Sequence, residues 1–118
     1  NVFLLKSIPH TWLLPQMAAI VHHGGAGTTG TALSAGAPSI VIPHFGDQYY
    51  WGRRVAELGV GPEPIARKKL SAESLTNAIN IATHDRAMKE RAVTIGAQIR
   101  AENGVHRAIQ VISQYINT

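Results

Sequence analysis

The sequence contains no cysteine, and charged and aromatic residues are scarce. Without cysteine the chain forms no disulfide, offers no thiolate nucleophile and binds no zinc through sulfur. Charged residues make up 15% of the chain and hydrophobic residues 45%, which argues against disorder and allows a modest core. No apolar run approaches the ~20 residues that a membrane span needs. The few aromatic residues do not alternate with the basic ones, so we expect no nucleic-acid partner.

The length of 118 residues predicts one domain over residues 1–118. The sequence begins without a methionine or a signal-peptide pattern, and Asn1 leads straight into an apolar run. We therefore expect a piece of a longer cytoplasmic protein. The formal net charge of +4 suits a phosphate ligand or peripheral contact with an anionic membrane, although a solvated basic surface accounts for most of it. The basic run at residues 67–69 fits a solvated loop, and it could also meet such lipid.

Apolar runs alternate with segments of helical periodicity, which predicts an α/β fold with a parallel sheet. The second and third runs are continuously apolar, as in parallel strands that helices cover on both faces. The predicted elements are strands at residues 2–5, 17–21 and 39–42, and helices at residues 12–16, 28–35 and 48–58 and after Ser71, Asp85 and Asn103. We also predict that the Asp47 side chain caps the helix at residues 48–58.

The glycine-rich turn after the second strand is the first candidate ligand site. Backbone N–H groups at a turn and a helix start attract phosphate, and glycine lets the ligand approach the main chain. His22 precedes the turn and could donate to a phosphate or, when protonated, neutralise part of its charge. The hydroxyl groups of Thr28 and Thr29 could donate as well. The predicted phosphate-binding residues are His22, Gly24, Gly25, Ala26, Gly27 and Thr28.

Asp47 and Gln48 follow the third strand and form the second candidate site. The carboxyl ends of parallel strands meet at one sheet edge, where ligands of α/β proteins bind. A carboxylate accepts hydrogen bonds and a carboxamide both accepts and donates, so the pair suits neighbouring sugar hydroxyls.

Three other interpretations fit parts of the pattern. The glycines could serve only a tight turn. His22 and His23 could bind a metal, although neighbouring strand residues point to opposite faces, and no carboxylate cluster supports them. Gly25, Gly27 and Gly30 also spell the G-x-G-x-x-G fingerprint of NAD(P)-binding Rossmann domains. Against that last interpretation, residues 43–46 separate Asp47 from the strand end where the ribose-binding acid belongs.

Several spaced elements together resemble the donor-binding signature of family 1 glycosyltransferases with the GT-B fold. They are Pro9 and His10, residues 22–29, residues 35–38, and residues 45–48 followed by residues 51–55. The form is most similar to the sterol 3-β-glucosyltransferases and their bacterial relatives, including antibiotic glycosyltransferases. Roughly residues 5 to 65 carry the resemblance, which is specific because several separated elements agree.

The resemblance implies a role for each matched segment. His22 and the glycine turn would contact the donor diphosphate, Asp47 and Gln48 the transferred sugar, and Ser7, Ile8 and His10 would lie near the uracil. Compared with the plant branch, Ser7 replaces a stacking tryptophan, Gly30 or Thr31 a ribose-binding glutamate, and residues 25–27 replace Trp-Asn-Ser.

The resemblance also implies that the catalytic base lies in a missing N-terminal half, together with most of the site for the acceptor hydroxyl. The chain itself would hold no catalytic residue, metal or cofactor. We therefore expect a Rossmann-like domain that binds a UDP-sugar in an inverting glycosyltransferase, with a sterol or other lipid-like acceptor. The alternatives are a non-catalytic nucleotide-binding subunit of a split glycosyltransferase and an NAD(P)-binding domain.

Overall fold

A computed structural model describes residues 1–117. Six α-helices, two short strands and two 3₁₀ turns follow one another in this part of the chain. In chain order they are α1 (His10–Leu13), a 3₁₀ turn (Leu14–Gln16), β1 (Ile20–His22), α2 (Ala26–Ser34), β2 (Ser39–Val41), α3 (Gln48–Glu57), a second 3₁₀ turn (Arg67–Lys69), α4 (Ala72–His84), α5 (Arg86–Ala101) and α6 (Gly104–Ile116).

The strands β1 and β2 pair in parallel, with Ile20 opposite Ser39 and His22 opposite Val41. The connection between them is α2, so the two carboxyl ends lie at the same sheet edge. This confirms the predicted order of strand, glycine turn, helix and parallel strand.

An extended run after α3 continues the hydrogen bonding on the far side of β2. The N–H of Ser39 donates to the carbonyl of Val60, and the N–H of Ile65 donates to the carbonyl of Val41, both at 3.0 Å. One step further, the Arg67 N–H donates to the Pro43 carbonyl at 3.3 Å. The chain therefore leaves this run at the same sheet edge as the candidate ligand site.

Helices cover β2 on both faces, because successive residues of a strand point to opposite sides. Ile40 is fully buried and packs with Ala78 and Ala82 of α4. Val41 is buried on the other face with Val55 of α3 and Ala92 of α5. The fold class is therefore α/β with a parallel sheet between helices, as predicted.

The helix boundaries that depend on local signals agree with the sequence. The Ser71 hydroxyl accepts from the N–H of Ser74 at 3.0 Å, and the Ser74 hydroxyl accepts from the Ser71 N–H, which makes a capping box. The Asp85 carboxylate accepts from the N–H of Met88 at the start of α5. Asn103 has a φ of 47° and separates α5 from α6.

The predicted buried strand at residues 2–5 is wrong. Val2, Phe3 and Leu4 are 96%, 88% and 94% exposed and belong to no strand. A strand needs a hydrogen-bonded neighbour, and the described residues provide none for this run. The prediction that β1 is covered on both faces is also wrong, because Val21 is 45% exposed and its face of the strand is open to solvent.

The last helix, α6, exposes its apolar side. Val105, Ile109, Ile112 and Ile116 are all more than half exposed, and no residue of α6 is buried. No helix in residues 1–117 has both the length and the apolar character needed to cross a membrane.

Candidate functional site

The glycine turn presents backbone donors at the start of α2. Gly25 precedes the helix and supplies no side-chain cap. The N–H groups of Ala26, Gly27 and Thr28 belong to the first helical turn and have no acceptor within residues 1–117. Such groups, together with the positive end of the helix dipole, favour an anion.

The two threonines of the turn differ in access. Thr28 is half-buried, whereas Thr29 is 2% exposed and its hydroxyl oxygen is covered. The Thr29 hydroxyl has no hydrogen-bond partner in the described residues, so its role as a donor to a ligand stays a prediction.

His22 ends β1 and is held by the turn that follows. Its Nδ1 accepts the N–H of Gly24 at 3.1 Å, so the proton of the neutral ring lies on Nε2. This Nε2 is covered and has no hydrogen-bond partner in the described chain. An unsatisfied buried donor is costly, which makes this atom a candidate contact for a ligand oxygen.

Burial keeps the His22 ring neutral. Desolvation, and secondly the neighbouring His23, lower the pKa of His22 from 6.5 to about 4. In the free protein near neutral pH the ring is therefore neutral, and charge neutralisation by a protonated His22 stays a prediction. In this neutral form His22 can donate one hydrogen bond but brings no charge.

His23 is a residue of the turn that the sequence analysis considered only as a metal ligand. A methyl group on Gly25 would lie 2.7 Å from Nε2 of His23, so the exposed imidazole lies directly against the turn. The signal that could have found it is its position between the strand and the first glycine. No group of three or more His, Asp or Glu side chains in residues 1–117 is placed to hold a metal ion.

Gly24 joins the turn to the second candidate site. It has a φ of +90°, which favours glycine, and a methyl group there would lie 2.7 Å from Cγ1 of Val41 and 3.0 Å from the carbonyl oxygen of Gln48. The turn therefore lies directly against β2 and the first residue of α3. This contact places the predicted phosphate and sugar residues side by side.

Gln48 is 7% exposed and anchors the loop after β2. Its Oε1 accepts the N–H groups of His44 and Phe45, at 2.8 and 3.2 Å. These two donors fix which atom of the amide is the oxygen. The amide nitrogen has no hydrogen-bond partner in the described residues, so Gln48 can donate to a ligand but its oxygen is already used.

Asp47 is exposed beside Gln48 and does not cap α3. Its backbone is in the αR region, with φ −69° and ψ −10°, whereas a capping residue is normally extended. The carboxylate instead accepts the indole N–H of Trp51 at 3.2 Å. The predicted capping role is therefore wrong, and the carboxylate remains near the sheet edge.

Of the three residues predicted near the nucleobase, His10 lines a cavity in the part of the chain that the structure describes. His10, at the start of α1, borders a cavity of about 320 Å³ between α1, α2 and α5. The other lining residues are Thr11, Pro15, Thr31, Ser34, Ala35 and Arg100. Ser7 is exposed and Ile8 half-buried, and neither lines this cavity.

The fold defines an α/β domain with a glycine turn at its sheet edge, and comparison with known proteins specifies its family. Residues 1–112 match the family model described as "Erythromycin biosynthesis protein CIII-like, C-terminal domain". The chain belongs to this family, the C-terminal domains of family 1 glycosyltransferases. This assignment favours the glycosyltransferase interpretation of the glycine motif over the dinucleotide one.

Curated relatives include sterol 3-beta-glucosyltransferases. That of Aspergillus oryzae is 51% identical over 112 residues, which cover 95% of this chain and 8% of the relative. That of Arabidopsis thaliana is 42% identical over 116 residues, which cover 98% of this chain and 19% of the relative. The chain thus spans less than a fifth of the length of these relatives.

Solved structures confirm the fold. The glycosyltransferase of kitacinnamycin aligns with a TM-score of 0.83 at 28% identity, covering 92% of this chain and 28% of that one. Glycosyltransferase VinC, crystallised in complex with dTDP, aligns with a TM-score of 0.76 at 27% identity, covering 93% and 29% of the respective chains. The fold is that of the C-terminal half of GT-B glycosyltransferases.

The burial of His22 predicts a specific acid sensitivity. Between pH 6.5 and about 4 the unfolded chain binds a proton at this position and the folded chain does not, so folding stability should fall as the pH falls through this window. His22→Gln removes this titration and should show a smaller loss of melting temperature on acidification. Thermal unfolding across the window tests this, with the exposed His84→Gln as control. Equal acid sensitivity of wild type and His22→Gln would contradict it.

Proposed function

We propose that this chain is the donor-binding part of an inverting, metal-independent glycosyltransferase. The donor would be a UDP-sugar, most simply UDP-glucose, and the acceptor the hydroxyl of a sterol or similar lipid-like molecule. The observation that carries the proposal is the set of unused donors on either side of the glycine turn: the N–H groups that open α2 and the covered Nε2 of His22. The sterol glucosyltransferase relatives and the dTDP complex of VinC support the donor and acceptor classes.

In the proposed reaction the acceptor oxygen attacks the anomeric carbon of the sugar. At the same time the bond between the anomeric carbon and the diphosphate oxygen breaks. Negative charge then grows on the leaving phosphate. The turn would stabilise this charge with N–H groups already fixed in position, which costs little reorganisation. Asp47 would accept, and Gln48 donate, hydrogen bonds of the sugar hydroxyls, which orients the anomeric carbon. The base that takes the acceptor proton would come from the part of the enzyme outside this chain.

The first test is nucleotide binding without a metal. We expect UDP to bind equally well with and without EDTA, because the turn offers N–H donors and the described residues form no metal cluster. Isothermal titration calorimetry with UDP, and in parallel with NAD, measures this. Loss of UDP binding in EDTA, or binding of NAD alone, would contradict the proposal.

A matched pair of histidine variants locates the binding. His22→Ala removes the Nε2 donor and should weaken UDP by about tenfold to a hundredfold, the size of a hydrogen bond to a charged group. His84→Ala removes an exposed imidazole at the end of α4 and should leave the affinity unchanged. Equal effects of the two substitutions would show that His22 has no special place in the site.

Asp47 should affect the sugar rather than the nucleotide. In the complete enzyme, Asp47→Asn should leave the inhibition constant of UDP unchanged and lower turnover with UDP-glucose by about tenfold or more, because a poorly held sugar misplaces the anomeric carbon. Since the carboxylate makes no cap, the melting temperature should also be unchanged. Initial rates over a range of UDP-glucose concentrations measure the effect. Full glucosyl transfer by this variant would remove Asp47 from the sugar site.

We also propose that the basic 3₁₀ turn Arg67–Lys69 contacts anionic lipid, which would bring the enzyme to a membrane-held acceptor. The turn is exposed, makes no ion pair with another described residue, and leaves the sheet at the edge of the candidate site. Leu70, next to it, is 41% exposed. A basic side chain near an anionic membrane contributes about 1 kcal/mol of binding.

Vesicle co-sedimentation tests the lipid contact. The protein should bind vesicles that contain phosphatidylserine and not vesicles of phosphatidylcholine alone, and the triple variant Arg67→Gln, Lys68→Gln, Lys69→Gln should lose most of that binding. A control triple variant neutralises three other exposed cations, Lys6, Lys89 and Arg107. If the control loses as much, only net charge matters and the proposed contact is wrong.

A further inference from the structure

Trp51 holds the carboxylate of Asp47 from one turn further along α3. Its indole Nε1–H donates to Oδ2 of Asp47 at 3.2 Å, and its backbone N–H donates to the Asp47 carbonyl at 3.0 Å. Half-buried, Trp51 is a polar partner of a candidate site residue.

Asp47 has no other side-chain or capping partner in the described chain. Because its backbone is in the αR region, the Asp47 side chain does not cap the first N–H groups of α3. Its carboxylate also forms no ion pair with a described Lys, Arg or His. A short exposed carboxylate without a partner can populate several rotamers. Within residues 1–117, the indole N–H is therefore the only group that selects one of them.

The indole ring is itself restrained. Its centroid lies 4.9 Å from that of Tyr50, with the two rings at 77° in an edge-to-face contact. Because the indole ring is restrained, its N–H fixes the direction of the hydrogen bond to Asp47. With Oδ2 directed at Trp51, the second carboxylate oxygen of Asp47 makes no hydrogen bond in the described residues and remains as an acceptor.

We propose that Trp51 is a positioning residue, which orients the Asp47 carboxylate so that its free oxygen meets a hydroxyl of the donor sugar. This inference rests on the proposed sugar role of Asp47. The indole is attached four residues later on the same helix, so the carboxylate is oriented before the donor arrives and does not need to be ordered by it.

The substitution Trp51→Phe tests this in the complete enzyme, since it keeps an aromatic ring and removes the N–H donor together with part of the indole. We expect kcat/KM with UDP-glucose to fall by about threefold to tenfold, the size of one ordinary hydrogen bond, with no change in the inhibition constant of UDP. Tyr49→Phe is the matched control, because it removes one polar atom from another exposed ring of α3. It should leave both constants unchanged.

The double variant Trp51→Phe, Asp47→Asn separates positioning from a structural role. If Trp51 acts through Asp47, the double variant should be no slower than Asp47→Asn alone. If the loss of kcat/KM in the double variant is the product of the losses in the two single variants, the inference is overturned and Trp51 is structural. A loss of UDP binding with Trp51→Phe leads to the same conclusion. If Trp51→Phe keeps wild-type kcat/KM while Asp47→Asn is impaired, this inference alone is overturned. If Asp47→Asn is itself unimpaired, the sugar role fails and the Trp51 inference fails with it.

Discussion

The structure depends on one close approach, in which Gly24 lies against the side chain of Val41 and the backbone of Gln48. The φ of +90° and the 2.7 Å that would separate a methyl group from Val41 each exclude an ordinary side chain. Because Gly24 has none, the turn after β1 lies against β2 and the first residue of α3. The open donors of α2 and the pair formed by Asp47 and Gln48 therefore share one sheet edge. A side chain at position 24 would push the glycine turn away from Asp47 and Gln48.

The parts of the fold that the sequence predicted are those whose causes are local or lie within the chain. The caps Ser71 and Asp85 act on N–H groups three residues away, so their signal is complete in a short window. β2 was predicted because its own chain covers it on both sides. Residues 2–5 have the same apolar character, yet a strand is defined by a neighbour rather than by its own residues. No local pattern reveals whether that neighbour is present.

For the candidate site, the sequence indicated which residue types meet but not their chemical states. The neutral form of His22 results from burial, and burial depends on the packing of the whole turn. Asp47 is at the position of a cap, but its αR backbone turns the carboxylate toward Trp51. Gln48 carries the expected amide, although two loop N–H groups already occupy its oxygen. In each case the residue was found, and its remaining hydrogen-bonding capacity was decided by contacts that only the folded chain shows.

The site that results offers neutral donors where the proposal places a diphosphate. Neither the N–H groups of α2 nor the ring of His22 carries a formal charge, and the basic turn Arg67–Lys69 is a separate segment of the sheet edge. A cation held in a covered position would lose its hydration, whereas fixed dipoles lose little and need no rearrangement as charge develops. Burial that lowers the pKa of His22 is thus consistent with the proposed chemistry. It preserves a donor at Nε2 while avoiding the cost of a buried charge in the free protein.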